Sequence, residues 1–455
     1  MSAAWLEHLV RSLPEGTVVS DPDVVAGYRS DRAATAATGL PAAVVRANGV
    51  ADVQTVMAIA HEHRVPVVPR GAGTGLAGGS SGIEGGITLS TERMRGLEID
   101  VAAAVAEVGP GVLNGELKAA AAARGLWYPP DPSSFEICSV GGNVATNAGG
   151  ACCVKYGVTT DYVAGLVVVL ADGRVLRLGG RTVKDVAGYD LKRLFVGSEG
   201  TLGVIVGATL RLRPRPAPAR TLVAAFAGTV AAGHAVTRIT GSLRPTTLEL
   251  MDRLALDAVE ARLAMGLDPG WGALLLARSD AAGAAGATEI DLMRVACESC
   301  GATYVATTDD EDEGEQLMAA RRMAIPAVEQ LGTVMIEDVG VPLAAVADLL
   351  AGIEEVSAHH DTPIAVIGHA GDGNFHPLVV FDPADEAARR RASAAFGAVM
   401  ELALRLGGTV TGEHGVGSLK LPWLRRQLGD DVLELHRSIK AALDPRGILN
   451  PGRAF

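Results

Sequence analysis

The stretch 67–86, VVPRGAGTGLAGGSSGIEGG, decides how this chain is read. Glycine stands at 71, 73, 75, 78, 79, 82, 85 and 86, directly after an apolar run ending at Val68. Glycine loses more backbone freedom on folding than any other residue, so such a loop costs stability unless something must approach the main chain closely. Successive N–H groups in a tight loop form a concavity for an anion, and a pyrophosphate suits a loop of this length. A nucleotide cofactor is the first expectation. Gly73, Gly75 and Gly78 satisfy G-x-G-x-x-G, but a Rossmann turn runs straight into a helix whose N-terminus faces the phosphates. Here GGSSGIEGG follows, a poor helix former, and Ile87–Ser90 reads as a strand. Loop amides alone are therefore expected to hold the phosphates. No G-x-x-x-x-G-K-[ST] is present, which disfavours an ATPase.

The chain has 455 residues, more than one hydrophobic core accommodates, so two or three domains are expected. A net charge of −12 argues against a nucleic-acid surface and suits a soluble protein. The opening MSAAWLEHLVRSL reads as a short amphipathic helix, not a signal peptide. The longest uncharged apolar stretch, 221–237, is broken by Gly228, Gly233 and His234 and is short for a membrane span. The protein is read as cytoplasmic, at most peripheral at a membrane. Five cysteines do not make a disulfide framework. Cys297 and Cys300 form a C-x-x-C inside the helix-like EIDLMRVACESCG, without a second pair to complete a zinc or iron–sulfur set. Free thiols are expected.

Residues 1–35 read as helical and then irregular. From Pro41 come a strand AAVVRA, a helix ADVQTVMAIAHEHR and a strand VPVV leading into the glycine loop, the signature of an α/β unit. Residues 96–108 read as a strand pair, and 112–124 as an Ala-rich helix ending at Gly125. The segment 128–157, YPPDPSSFEICSVGGNVATNAGGACCVKYG, is again dominated by Gly, Asn, Ser and Pro, with Asp131, Ser133, Asn143, Thr146 and Asn147 as polar side chains. Long loops inside a domain are uncommon unless functional, so a second cradle is implied. GLVVVLADGRVLRL reads as a hairpin, 190–195 as a short helix and 204–212 as a strand, before Pro214, Pro216 and Pro218 mark a boundary. Beyond it strands and helices alternate, and the acidic 309–315 reads as a helix start, where negative charge is favoured.

His369 and His376 flank AGDGNF, a turn-rich insert between PIAVIG and PLVV. Folding about 371–374 would bring two imidazoles together, as a metal requires. Two histidines alone read equally well as hydrogen-bonded hairpin residues. Glu413, in TGEHGVG, adds a carboxylate. An extended backbone would point His414 away from Glu413, leaving it free for another role.

Together PRGAGTGLAGG, GGNVATNAGG, FVGSEGTLGVI, GHAGDGNFH, GEHGVG and LDPRGILNPGR resemble the FAD-linked oxidases with a vanillyl-alcohol-oxidase-type flavin domain. Within them the similarity is to the subgroup of the glycolate oxidase flavoprotein subunit, D-lactate dehydrogenase and D-2-hydroxyglutarate dehydrogenase, and it spans residues 36–452. It implies an α+β fold: a helical segment at 1–35, a two-subdomain FAD-binding domain at 36–215, and an α+β substrate (cap) and metal-binding domain at 216–455 whose C-terminal segment returns to the flavin. By that resemblance Arg70, Gly71, Ala72, Gly73, Thr74, Gly75 and Leu76, with Gly79 and Ser80, hold the FAD pyrophosphate. Pro130, Asp131, Cys138, Gly142, Asn143, Thr146, Gly149, Gly150, Ile205 and Asn450 line the rest. Neither 69–86 nor 128–157 contains a histidine, so FAD is expected to be non-covalent. The resemblance also makes His369, His376 and Glu413 ligands of a divalent metal, zinc being the expected ion, with Arg321 for the substrate carboxylate, Arg322 as its fallback, and Asn374 beside the substrate.

That set suits oxidation of a 2-hydroxy acid to the 2-oxo acid. A metal on the hydroxyl lowers its pKa, His414 is the expected general base, the hydride goes to flavin N5, and a planar arginine matches a carboxylate. The 2-hydroxyglutarate enzymes use a threonine and a lysine for the second carboxylate, where Ile325 and Ile336 stand here. D-lactate, glycolate or a longer aliphatic hydroxy acid is therefore expected. The alternatives are a 2-hydroxyglutarate-type dehydrogenase, a sugar or lactone oxidase, which lacks the paired-histidine segment, and a non-catalytic electron-relay subunit. The expected partners are an acceptor (oxygen, quinone, cytochrome or electron-transfer flavoprotein) and either a second copy of the chain or a larger complex.

Overall fold

The structure, a computed structural model, describes residues 3–455. They divide into two compact units. The first comprises residues 1–149, 158–215 and 413–455, and the second 150–157 and 216–412. The break at Arg215/Pro216 falls within the proline-punctuated stretch. Two segments divide otherwise than a continuous boundary at 215/216 implies: 150–157 lies with the second unit and 413–455 with the first.

The described residues of the N-terminal segment, 3–35, belong to the first unit and do not stand as a separate helical segment. The helix Ala3–Ser12 buries Leu9 in the same apolar cluster as Val53, Met57 and Ile87, and Val18–Val19 pairs antiparallel with Ala43–Arg46. Ala43–Arg46 and Val67–Arg70 both run parallel to Ile87–Ser90, which lies between them. A parallel pair needs a crossover of a dozen or more residues, usually a helix. Residues 71–86 make it without one, which is how a glycine loop comes to sit at the end of a sheet. A second, antiparallel sheet runs Leu97–Asp100, Val105–Val108, Val204–Arg211, Val163–Val169, Val175–Gly179.

The segment 128–157 is not all loop. Val140–Thr146 is helical, with the Ser139 side chain accepting from Gly142 N at its start and Asn147 in the left-handed conformation at its end. Its Gly- and Asn-rich composition reads as loop, but the caps and the burial of Val140 and Val144 outweigh the low helix propensity of those residues.

The second unit is built on an antiparallel sheet ordered Tyr304–Thr308, Arg220–Phe226, Ala273–Ser279, Thr247–Asp252, Ile364–His369, Asn374–Phe381, Thr333–Ile336. The acidic run begins the helix Glu311–Arg322, capped by Asp310. Lys155 and Tyr156 both bond Asp280, which ties 150–157 to this unit. All five cysteines are free thiols, and burial pushes the Cys297 thiol up to about 12.

Candidate functional site

In the first unit the amides of Gly73, Thr74, Gly75 and Leu76 donate to no acceptor among the described residues. Successive open amides of this kind are what an anion needs. Arg70 braces the loop from within, donating to Ser30 O and Ser80 O at 3.0 Å each. Gly73 has φ +72°, and a Cβ there would run into the Arg70 guanidinium. A Cβ on Gly71 would strike Ser139 Oγ, which accepts from Ala72 N at 3.2 Å. The helix Val140–Thr146 thus begins against the glycine loop, a neighbour that loop amides read alone did not suggest. Behind it Asn143 is buried, its Oδ1 accepting from Asn114 Nδ2 at 3.0 Å and its Nδ2 3.2 Å from Cys138 Sγ. Thr146 Oγ1 donates to Gly142 O, Pro130 and Gly149 are buried, Asp131 is half-buried, and Ile205 is in the core. Gly150 falls in the second unit.

The returning segment finishes this region. Ile448–Asn450 adds alongside Val67, with Val67 N donating to Ile448 O and Asn450 N to Val67 O, both at 2.8 Å. Asn450 Nδ2 donates to Gly79 O and Glu199 O at 2.7 Å, and Arg453 to Gly78 O and Ser81 O. Glu199, which sequence reading passed over, accepts from Val416 N at 2.8 Å and Gly417 N at 2.7 Å. Burial raises its pKa. A Cβ on Gly417 would overlap the Ala77 carbonyl.

In the second unit the hairpin 364–381 forms as its turn residues imply. His369 pairs across from Asn374 and His376 from Ile367, and the imidazole centroids lie 5.2 Å apart, edge to face. Both histidines are buried. Register also places Glu249 directly opposite His369 on the neighbouring strand, where Glu249 Oε1 lies 2.8 Å from His369 Nδ1. His369 is thereby tied through Nδ1 to a carboxylate, the kind of contact that orients a histidine ring. Arg321 reaches the same carboxylate. It is 3% exposed, and its Nη2 stands 3.0 Å from Glu249 Oε2 as an ion pair off hydrogen-bond alignment. Its Nε is buried and meets no acceptor among the described residues. Arg322 lies outside this cluster, half-buried near Glu315. Burial raises the pKa of Glu249, but the charges of His369 and Arg321 outweigh it and the net direction is down.

Asp338 is a second buried acid that the sequence reading missed. It accepts from Asn374 Nδ2 at 2.8 Å, Thr411 Oγ1 at 2.6 Å and Gly412 N at 2.9 Å, and its Oδ1 lies 3.7 Å from His376 Nδ1. A Cβ on Gly412 would overlap the Asn374 amide, so that position is glycine for packing. Glu413 follows Gly412 directly and opens the segment assigned to the first unit. His414 does not point away from it: the chain bends here instead of extending, and His414 Nε2 lies 3.7 Å from Glu413 Oε1. Acids set in apolar runs, one in TLELM and an adjacent pair in VMIEDVG, are the signal for Glu249 and Asp338.

Comparison with known proteins now settles the family. The model of the FAD linked oxidases' C-terminal domain matches residues 215–454, and that of the FAD binding domain matches 41–179. The chain belongs to the FAD-linked oxidases. This FAD-linked oxidase is 42% identical to the glycolate oxidase subunit GlcD of Bacillus subtilis, over 91% of this chain and 89% of the relative. It is 36% identical to the D-lactate dehydrogenase of Archaeoglobus fulgidus, over 90% of each. Among solved structures it is similar to p-cresol methylhydroxylase (TM-score 0.82, 18% identity, 99% of this chain and 96% of that one). It is also similar to the 4-ethylphenol oxidase of Gulosibacter chungangensis (TM-score 0.81, 20% identity, 99% and 96%). These bear out the vanillyl-alcohol-oxidase-type α+β fold and an FAD-dependent oxidoreductase. Among the described residues no helix is long and apolar enough to cross a membrane.

Proposed function

We propose that this oxidase converts a small 2-hydroxy acid, D-lactate, glycolate or a close analogue, to the 2-oxo acid, with non-covalent FAD and a divalent metal, zinc by donor type. Its relatives' names support the substrate class. The observation that carries the reading is the buried hairpin pair, His369 and His376, one fixed through Nδ1 by Glu249, beside an arginine whose Nε is open to an anion. Two imidazoles suit zinc. Glu413, the residue after Gly412, is the third donor of this reading. When bound, the metal acts as a Lewis acid on the hydroxyl and FAD accepts the hydride. Arg321 binds the substrate carboxylate through its open Nε. Asn374, its Nδ2 spent on Asp338 and Val339 O, stands beside the substrate. His414 takes the hydroxyl proton. The glycine-loop amides 73–76, braced by Arg70, hold the pyrophosphate, and the other residues named above by resemblance line the cofactor, Asn450 by fixing Gly79.

Ile325 and Ile336 supply no partner for a distal carboxylate, which favours monocarboxylates over 2-hydroxyglutarate. Electrons leave to a separate acceptor, a quinone, cytochrome, electron-transfer flavoprotein or oxygen, in the cytoplasm or at the membrane face, with a homodimer or a larger complex as the assembly.

The test is anaerobic mixing with each 2-hydroxy acid while the flavin absorbance is followed, with and without a chelator. D-lactate or glycolate should bleach the flavin, the chelator should abolish the bleaching, and His414→Ala should slow it by ~100-fold or more. A relay subunit would show no bleaching in any arm.

A further inference from the structure

One buried carboxylate in the second unit touches two groups that the hydroxy-acid reading gives different tasks. Glu249 is 2% exposed, and its two oxygens are spent separately: Oε1 on His369 Nδ1 at 2.8 Å, Oε2 on Arg321 Nη2 at 3.0 Å. Three elements deliver the trio. Strand register sets Glu249 across from His369, while Arg321 arrives from the last turn of the helix Glu311–Arg322. The ion-pair residues are almost fully buried, at 4% and 2% side-chain exposure. A buried carboxylate with cationic or imidazole partners on both oxygens is fixed in angle as well as in place, and removing it leaves the arginine charge uncompensated.

We infer that Glu249 is a positioning residue joining the histidine that holds the metal to the arginine that binds the substrate carboxylate. The inference rests on the hydroxy-acid reading. Through Oε1 it sets the tautomer and tilt of His369. Through Oε2 it draws Nη2 away, so that Arg321 meets an incoming carboxylate with Nε. The distance between alcohol-binding and carboxylate-binding groups is thereby set by one side chain, which selects acids whose hydroxyl lies on the carbon next to the carboxylate.

The two arms can be cut independently in the full-length FAD-loaded protein. Glu249→Gln keeps an oxygen acceptor for His369 but loses the charge facing Arg321, whereas Glu249→Ala loses both. Zinc affinity, measured by competition with a chromogenic chelator, should fall 10- to 100-fold in Glu249→Ala and stay within about 3-fold of wild type in Glu249→Gln. At saturating zinc, KM for D-lactate or glycolate should rise about 10-fold or more in both variants. In Glu249→Gln that rise should exceed the fall in kcat, and 3-hydroxybutyrate, with its hydroxyl one carbon further away, should lose less than lactate. A purely structural role would lower melting temperature and FAD retention without this split. Unchanged zinc affinity in Glu249→Ala, or a Glu249→Gln enzyme with wild-type KM, overturns the inference alone. Should Glu249→Ala fail to fold, the Glu249→Gln values of KM and zinc affinity decide it. Wild-type protein that binds no zinc overturns both the inference and the reading beneath it.

Discussion

The glycine loop of the first unit and the histidine hairpin of the second are built by opposite means. In the loop eight glycines leave side chains sparse and main-chain amides open, and Arg70, Asn450 and Arg453 brace it by holding carbonyls. In the hairpin the main chain is consumed by the sheet ladder, and two of its buried side chains, His369 and Asn374, bond the buried acids Glu249 and Asp338. A backbone cradle fails where an added Cβ meets a neighbour that cannot move, whereas a buried side-chain site fails when its charge balance is lost. Substitutions in the two places should therefore fail differently.

The sharpest break is expected at Gly417. Its φ is +52° and a Cβ there would overlap the Ala77 carbonyl, a backbone atom that cannot swing aside. Gly417→Ala should purify colourless and fail to take up added FAD, as absorbance near the flavin bands would report. His369→Ala should do the reverse, keeping the flavin spectrum while zinc content falls by 100-fold or more in elemental analysis. A colourless His369→Ala would erase the contrast between the two regions. Arg453→Leu is a graded version of the first break. It removes charged hydrogen bonds to Gly78 O and Ser81 O, each worth about 1.5–3 kcal/mol, and should weaken FAD binding about 10-fold or more by flavin fluorescence.

The smallest effect concerns stability alone. Burial pushes the Asp252 carboxyl up to about 7. The folded protein then holds that proton more tightly than the unfolded chain, so this residue's contribution to stability declines as pH rises from the ordinary carboxylate range to about 7, and levels off above. Asp252 Oδ1 also caps the helix Arg253–Leu263 by accepting from Ala255 N, which asparagine can equally do. Asp252→Asn should flatten the fall in urea midpoint between pH 4 and 7 and leave flavin and zinc binding unchanged.

What could be read in advance follows the same division. The glycine loop, its flanking strands, the hairpin about 370–373 and the proline-marked break at 215 are local patterns, and local patterns survive in sequence. The helix Val140–Thr146 was misread because glycine propensity was weighed without Ser139 and Asn147 as its caps. Glu249, Asp338 and Glu199 lie 120, 36 and 217 positions from the residues they fix, and no local window contains both ends. An acid inside an apolar run shows only that a partner exists somewhere. His414 was misdirected for a related reason, since whether 413–415 extends or bends depends on Glu199 and the neighbouring amides, not on GEHG itself.

The hold of Arg453 on Gly78 has a consequence for biosynthesis. The two residues are 375 positions apart. At roughly 5–20 residues per second, a nascent chain carries its glycine loop for about 20 to 75 seconds before the groups that brace it emerge. Over that interval the Gly78 and Ser81 carbonyls lack the guanidinium that later holds them.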